Sequence, residues 1–159
     1  MLRFREADVT DADAHALLEA YFAERAAGFP ASQGAYSPTW PASAQFTPPA
    51  GVFLVVDDGG EPVGCGGVRR IQRRPDTNEV RFEVKHLWLA PTARGHGEGR
   101  RLLAELERRA RELGAQEVVL DTNASLEAAG ALYRSTGYTE VDPYNANPNA
   151  THWYGKRLD

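Results

Sequence analysis

The sequence predicts one α/β (α+β) domain, residues 1–159, built on a central mixed, mostly antiparallel sheet of about seven strands with flanking helices. Three observations carry this. Hydrophobic periodicity switches along the chain in the order strand, helix, three strands, helix, strand, helix, two strands. The three consecutive strands are joined by turns short enough for an antiparallel meander, whereas the later strand–helix–strand run requires a parallel, right-handed crossover. With 159 residues, 42% of them hydrophobic, the chain can bury one full core, and neither a repeat nor a low-complexity tract divides it.

In chain order, "LRFREA" alternates as a first strand. "TDADAHALLEAYFAERAA" follows, with Thr10 as expected cap and Leu17, Leu18, Tyr21 and Phe22 at helical spacing, so a helix is predicted over about residues 11–27. The Pro-, Ser- and aromatic-rich "GFPASQGAYSPTWPASAQFTPPAG" has no period and is expected to be a long ordered loop with a short helix. "GVFLVVDDGGEPVGCGGVRRI" reads as two strands around an Asp-Gly turn, and "NEVRFEVKHLWLAP" as a third, closed by Pro91. The next helix stripes Leu102, Leu103, Leu106, Ala110 and Leu113, places Glu105 to meet Arg101 and Arg109, and stops at Gly114. "QEVVLDT" is a short strand, "SLEAAGALYRSTGY" carries a helix, a strand begins at Tyr138, and "THWYGKRL" closes the sheet.

Bulk composition narrows the function. Eighteen basic against twenty-two acidic residues give a net charge of −4, which recruits neither nucleic acid nor an anionic membrane surface. A single cysteine, Cys65, no signal-like start and no long apolar run point to a cytoplasmic protein. His15, His86, His96 and His152 are scattered without metal-ligand spacing, so no metal is expected.

The stretch "RGHGEGRRLL", residues 94–103, sets glycines and arginines where an apolar helix begins. Cations oppose the helix dipole there by about 0.3–1 kcal/mol each, and glycines weaken the helix by about 0.5–1 kcal/mol each. Both features suit a bound anion. No Lys follows the glycines, which excludes a P-loop, and Arg100 occupies the third glycine place of a dinucleotide fingerprint, although Asp121 would suit a ribose contact.

The third pattern, Arg/Gln-x-x-Gly-x-Gly/Ala, is met by Arg94, Gly97 and Gly99 after "LWLAP". Together with the meander, "VVLDT", "ALYRSTGY" and "HWYGKRL", it makes the chain resemble the GNAT superfamily of acyl-CoA N-acyltransferases over most of its length. The resemblance implies a GNAT fold in which the fourth and fifth strands splay apart. It implies acetyl-CoA as co-substrate, its pyrophosphate held by Arg94, Gly95, His96, Gly97, Glu98, Gly99 and Arg100. Its pantetheine arm would pair along Leu87, Trp88 and Leu89. The implied activity is N-acetyl transfer (EC 2.3.1 class), by direct transfer in a ternary complex, to an amine of a small molecule or peptide. A homodimer is among the expected assemblies. The Tyr of the Leu132-Tyr133 pair is the implied acid, and Glu83 stands where the histone-type branch carries its general base. The Asn often found about two turns before that Tyr is replaced by Leu126, with Asn123 close by but out of register.

Plainer readings stand beside these. Strict alternation puts Glu83, Lys85, Leu87 and Leu89 on one face of their strand and Val84, His86 and Trp88 on the other, unless a bulge intervenes. Glu83 is then either a base or half of an ion pair with Lys85 or Arg81. Arg101 is expected to pair with Glu105 or Glu98 in water. Cys65 reads as a buried thiol, and Arg69, Arg70, Arg73 and Arg74 as a solvated strand end. Phe29, Tyr36, Trp40, Tyr144, Asn145, Asn147 and Trp153 are candidates for an acceptor pocket. The alternative function is a non-catalytic acyl-CoA sensor.

Overall fold

The computed structural model describes all 159 residues. The elements are β1 (Leu2–Glu6), α1 (Ala12–Gly28), β2 (Gly51–Asp58), β3 (Glu61–Arg70), β4 (Arg81–Leu89), α2 (Glu98–Glu112), β5 (Glu117–Thr122), α3 (Glu127–Ser135), β6 (Thr139–Glu140) and β7 (His152–Arg157). The order matches the periodicity. The long loop after α1 contains 3₁₀ turns at Ala31–Gln33 and Ser43–Phe46.

All strands join one sheet in the order β1-β2-β3-β4-β5-β7-β6. Every pair is antiparallel except β4 with β5, where α2 makes the crossover. The two faces bury separate clusters. Leu102, Leu103 and Leu106 of α2 and Tyr133 of α3 pack on Val52, Leu54, Val68, Phe82, Val84, Val118 and Leu120. On the other face, Leu17, Leu18 and Phe22 of α1 pack on Phe53, Val55, Cys65 and Phe46. Residues alternate between clusters along β2, as a period of two requires.

One local expectation fails and another is settled between its alternatives. Thr10 does not cap α1: its hydroxyl donates to Asp8 at 2.6 Å, and Asp11 takes the N-cap position without a side-chain cap bond. Arg101 pairs with Glu98 at 2.7 Å, while Glu105 binds Arg108 and Arg109. No helix is long and apolar enough to cross a membrane.

Candidate active site

The site begins with a break in the sheet. β4 pairs with β5 only from Arg81–Glu117 to Glu83–Val119. Beyond that point β5 continues against β7 to Thr122, and β4 continues against β3 to Leu89, so the β4 edge from Val84 onward has no β5 partner. A bulge marks the divergence. Between the pairs Gly67–Lys85 and Cys65–Trp88, two residues of β4 oppose Gly66, and His86 adopts φ 57°. Bulges add right-handed twist, which turns β4 away from its parallel neighbour.

The bulge overturns strict alternation beyond Lys85. Leu87 and Leu89 pack on the α2/α3 cluster with Phe82 and Val84, and Trp88 packs on the α1 side. The His86 ring lies edge-on to Tyr21 and Phe22 of α1, at 5.7 and 5.6 Å. Through the gap passes a cavity of about 360 Å³, walled by Leu87, Leu120, Leu126 and Tyr133 on one side and by Phe22 and Tyr36 on the other. It joins the two faces of the sheet.

At the mouth of the splay, β4 leads through Pro91 into the glycine turn. Gly95 and Gly97 take φ 89° and 77°, Gly97 being the N-cap of α2, and a Cβ on either would meet nothing within 4 Å. None of the amides of Gly95, His96, Gly97, Glu98, Gly99 and Arg100 donates a hydrogen bond; the first donor of the helix is Arg101, to the Gly97 carbonyl at 3.2 Å. A row of free N–H groups at a helix start has the geometry and the dipole that suit an anion. The side chains stand aside: Arg94 donates to the Leu89 carbonyl at 2.8 Å and to Glu24 at 2.8 and 2.9 Å, and Arg100 donates to Ser135 at 3.0 Å. Glu24 also accepts from the Trp88 indole at 3.2 Å, which ties α1 to the turn. The His96 ring lies 3.2 Å from the Arg94 carbonyl.

Tyr133 reaches the cavity from α3. Its ring packs against Tyr138 and Tyr154 at 6.0 and 6.1 Å, and its residue surface is 7% exposed. The hydroxyl has no hydrogen-bond partner in the protein, and burial pushes its pKa up to about 12. It is therefore a phenol, with its proton, across the physiological range.

Two carboxylates lie nearby in different positions. Glu83 is 1% exposed and is not in the cavity wall. One of its oxygens accepts from Arg69 at 2.9 and 3.1 Å, and the other accepts from the Tyr144 hydroxyl at 2.6 Å, with Lys85 at 3.5 Å. Its ion pairs are thus with Arg69 and Lys85 rather than Arg81, whose Nε donates to the Gln72 carbonyl. Asp121, at the end of β5, is the only carboxylate in the wall. Lys85 donates to it at 3.2 and 3.3 Å and Asn145 at 2.8 Å. Burial raises the Asp121 pKa, but Lys85 and Asn145 outweigh it and hold the group below the usual carboxylate value.

Other candidates separate clearly. Tyr36, Trp40, Asn145 and Asn147 line the cavity, whereas Phe29 packs on Tyr36, Trp153 donates to Asn145 and Tyr144 binds Glu83. Asn123 is buried, donating to Gln33 at 2.7 Å and accepting from the Ser125 amide at 3.0 Å in the turn before α3. Leu126 takes the wall position. Cys65 is fully buried, its thiol pKa raised by burial, and it donates to the His86 carbonyl across the bulge. No group of three or more His, Cys, Asp or Glu is arranged to hold a metal. Sequence reasoning missed Arg25, Lys85 and His86 as wall residues; the one available signal was an Arg continuing the buried 17-18-21-22 spacing of α1.

Comparison with known proteins agrees with this geometry. The family model described as "Acetyltransferase (GNAT) family" matches residues 14–138. An IAA acetyltransferase of Azospirillum brasilense is 38% identical over 92 residues, 58% of this chain and 57% of that protein. The N-alpha-acetyltransferase RimI of Mycobacterium tuberculosis is 35% identical over 105 residues, 64% of this chain and 63% of that protein. The chain thus spans about three fifths of the length of these curated relatives. A crystal structure of a candidate acyl-CoA N-acyltransferase of Klebsiella pneumoniae superposes with a TM-score of 0.74 at 27% identity, covering 100% of this chain and 99% of that one. Splayed strands, a glycine turn with free amides and a family match over residues 14–138 lead to one conclusion: the chain belongs to the GNAT family of acetyltransferases.

Proposed function

We propose that the protein is an N-acetyltransferase of the EC 2.3.1 class, moving the acetyl group of acetyl-CoA to an amine of a small molecule or peptide by direct transfer in a ternary complex. The observation that carries this is the Tyr133 hydroxyl, without a protein partner, in a cavity between the splayed strands, together with a glycine turn whose amides are free at the end of the same β4 strand. The residues present fit the coenzyme: the open space at Gly95 and Gly97 leaves the backbone approachable, and the amides from Gly95 to Arg100 would hold its pyrophosphate. The unpaired β4 edge along Leu87, Trp88 and Leu89 would take the pantetheine arm as an added strand. Arg94 would anchor the turn against Leu89 and Glu24, with His96, Glu98 and Arg100 at its rim.

Acetyl-CoA supplies an activated thioester. As the amine nitrogen bonds to the carbonyl carbon and the carbon–sulfur bond breaks, Tyr133 donates its proton to the sulfur and is reprotonated from solvent. The proton leaving the amine is relayed by Asp121, the one carboxylate in the wall, which is held ionised and so releases the proton to solvent. Glu83 enters this scheme one layer behind: it fixes Arg69, Tyr144 and Lys85, and Lys85 and Asn145 link it to Asp121. Direct base catalysis by Glu83 is the second reading, kept because the two carboxylates share Lys85. A cytoplasmic setting suits a single, fully buried cysteine.

The test is a screen of amines with acetyl-CoA, with product mass measured. Acetylated product that disappears in Tyr133→Phe and falls at least 100-fold in Asp121→Asn supports the scheme. Coenzyme binding without transfer to any amine would make the protein an acyl-CoA sensor instead.

A further inference from the structure

The cavity holds a cation that nothing in the protein neutralises. Its wall contains Arg25, Arg69, Lys85 and Asp121. Arg69 is bound to Glu83, and Lys85 bridges Glu83 and Asp121. Arg25 makes no ion pair. Its Nε is buried without a hydrogen-bond partner, and its guanidinium lies over the Tyr36 ring, 5.1 Å from the centroid. The neighbouring Glu24 is turned away onto Arg94. A second buried polar atom without a partner, His86 Nδ1, belongs to the same wall.

Buried polar atoms are nearly always satisfied, so two exceptions in one cavity, one of them on the guanidinium of a half-buried arginine without an ion pair, mark a place for a ligand. The chemistry of that ligand follows from the donors. A planar guanidinium with a free Nε edge is shaped for a carboxylate, and its charge repels a purely cationic acceptor such as a polyamine. Around it, Phe22, Tyr36 and Trp40 form an aromatic wall, with Phe22 and Trp40 rings 5.0 Å apart, that suits an apolar body. His86 is neutral at working pH, because burial and the nearby Lys85 and Arg69 pull its pKa down to about 3, so its bare nitrogen can face a polar group without adding charge.

We propose that the acceptor is a small amine carrying a carboxylate on the same molecule, an amino acid with an apolar or aromatic side chain, whose carboxylate is bound by Arg25 and whose side chain lies against Phe22, Tyr36 and Trp40. The proposal rests on the acetyl-transfer reading for what happens to the amine, but the binding site itself does not depend on turnover. Arg25 on this account determines specificity, and Tyr133 and Asp121 handle the protons.

The test pairs amino acids with amines that lack only the carboxylate: phenylalanine with phenethylamine, leucine with isoamylamine, and phenylalaninamide as a control that keeps the shape of the carboxylate without its charge. Binding is measured by calorimetry with coenzyme A present, and transfer by product mass. The expected result is at least a 10-fold preference for the carboxylate member in binding and in kcat/KM. Arg25→Gln should abolish that preference by a loss of about 10- to 100-fold, the value of a charge-assisted pair. Arg25→Lys should restore part of it. Coenzyme affinity and thermal midpoint serve as checks that Arg25→Gln folds and keeps the other subsite. Equal affinity within each pair, no binding of any carboxylate member, or an Arg25→Gln loss equal for acids and amides would overturn the proposal. A carboxylate preference in binding with no acetyl transfer would support the amino-acid subsite at Arg25 and overturn the acetyl-transfer reading, and with it the ligand's role as acceptor.

Discussion

Glu83→Gln separates the two roles open to this residue, because each predicts a different measurement. In the native protein the carboxylate takes two bonds from Arg69 at 2.9 and 3.1 Å and one from Tyr144 at 2.6 Å. Glutamine keeps the size and one acceptor oxygen but removes the charge. Hydrogen bonds to a charged group contribute about 1.5–3 kcal/mol against about 0.5–1.5 for neutral ones, so three bonds lose about 3 kcal/mol together. Arg69 and Lys85 keep side-chain exposures of 28% and 19%, so water recovers part of their loss and about 2 kcal/mol of destabilisation remains. For a chain of this length that is a fall of about 4–8 °C in thermal midpoint. Urea unfolding should show a lower midpoint at unchanged m-value, while kcat falls less than about 10-fold and the pH–rate profile keeps its shape. An unmoved urea midpoint with a rate loss of 10²–10⁴-fold, partly rescued at high pH, would refute the reasoning and make Glu83 the general base.

Tyr133→Phe keeps the ring that packs on Tyr138 and Tyr154, so stability should barely move while kcat falls about 10²–10⁴-fold with little change in either KM. A defect that stays constant as the thiol leaving group of the donor is made more acidic would reduce the hydroxyl to a positioning role. Because the raised pKa of Tyr133 keeps its proton on until about pH 12, the native rate should show no falling limb from this group between pH 8 and about pH 10; such a limb, absent in Tyr133→Phe, would contradict the assigned environment. Gly97→Ala and Gly59→Ala both force alanine into left-handed backbone, at φ 77° and 58°, and each should cost about 1–2 kcal/mol. Only Gly97→Ala should also weaken coenzyme A; equal affinities by calorimetry would move the pyrophosphate elsewhere. His86 is held neutral with its pKa near 3 against about 6.5 when unfolded, so its contribution is complete above pH 6.5 and is lost as pH falls toward 3. His86→Asn should flatten the acid limb of stability by up to about 1.4 kcal/mol per pH unit, and parallel limbs for the two proteins would disprove it.

Periodicity made the order of elements legible, because each helix or strand that buries one face repeats its apolar residues at 3.6 or 2. The glycine turn was legible for a related reason: glycines and arginines at a helix start oppose local stability, and such conflicts concentrate where a ligand binds. Thr10 misled because Asp8, Thr10 and Asp11 all offer short side chains to the same few amides, and the hydroxyl found Asp8 first. Arg25 was hidden by its type. An arginine on an amphipathic helix is ordinarily solvent-facing, and only the packed structure shows that its Nε is buried without a protein partner.

The largest gap between sequence and site is one residue of backbone. Strict alternation places Leu87 beside Lys85, on the α1 face with Glu83, and a slip of one residue sends every later side chain to the opposite face. The bulge at His86 performs that slip, and three things follow from it together. Leu87 and Leu89 join the α2/α3 core, His86 is turned among Tyr21, Phe22 and Phe46, and β4 parts from β5 just where Asp121 and Tyr133 approach. A continuous ladder would bury the β4 edge against β5 and close the cavity. The bulged strand instead leaves a row of backbone groups free for a substrate to complete, and it does so beside a glycine turn whose amides are free for the same reason. The acyl-CoA site proposed here is therefore two interruptions of regular hydrogen bonding, one at a strand edge and one at a helix start, held in register by the nine residues of β4 and the turn through Pro91.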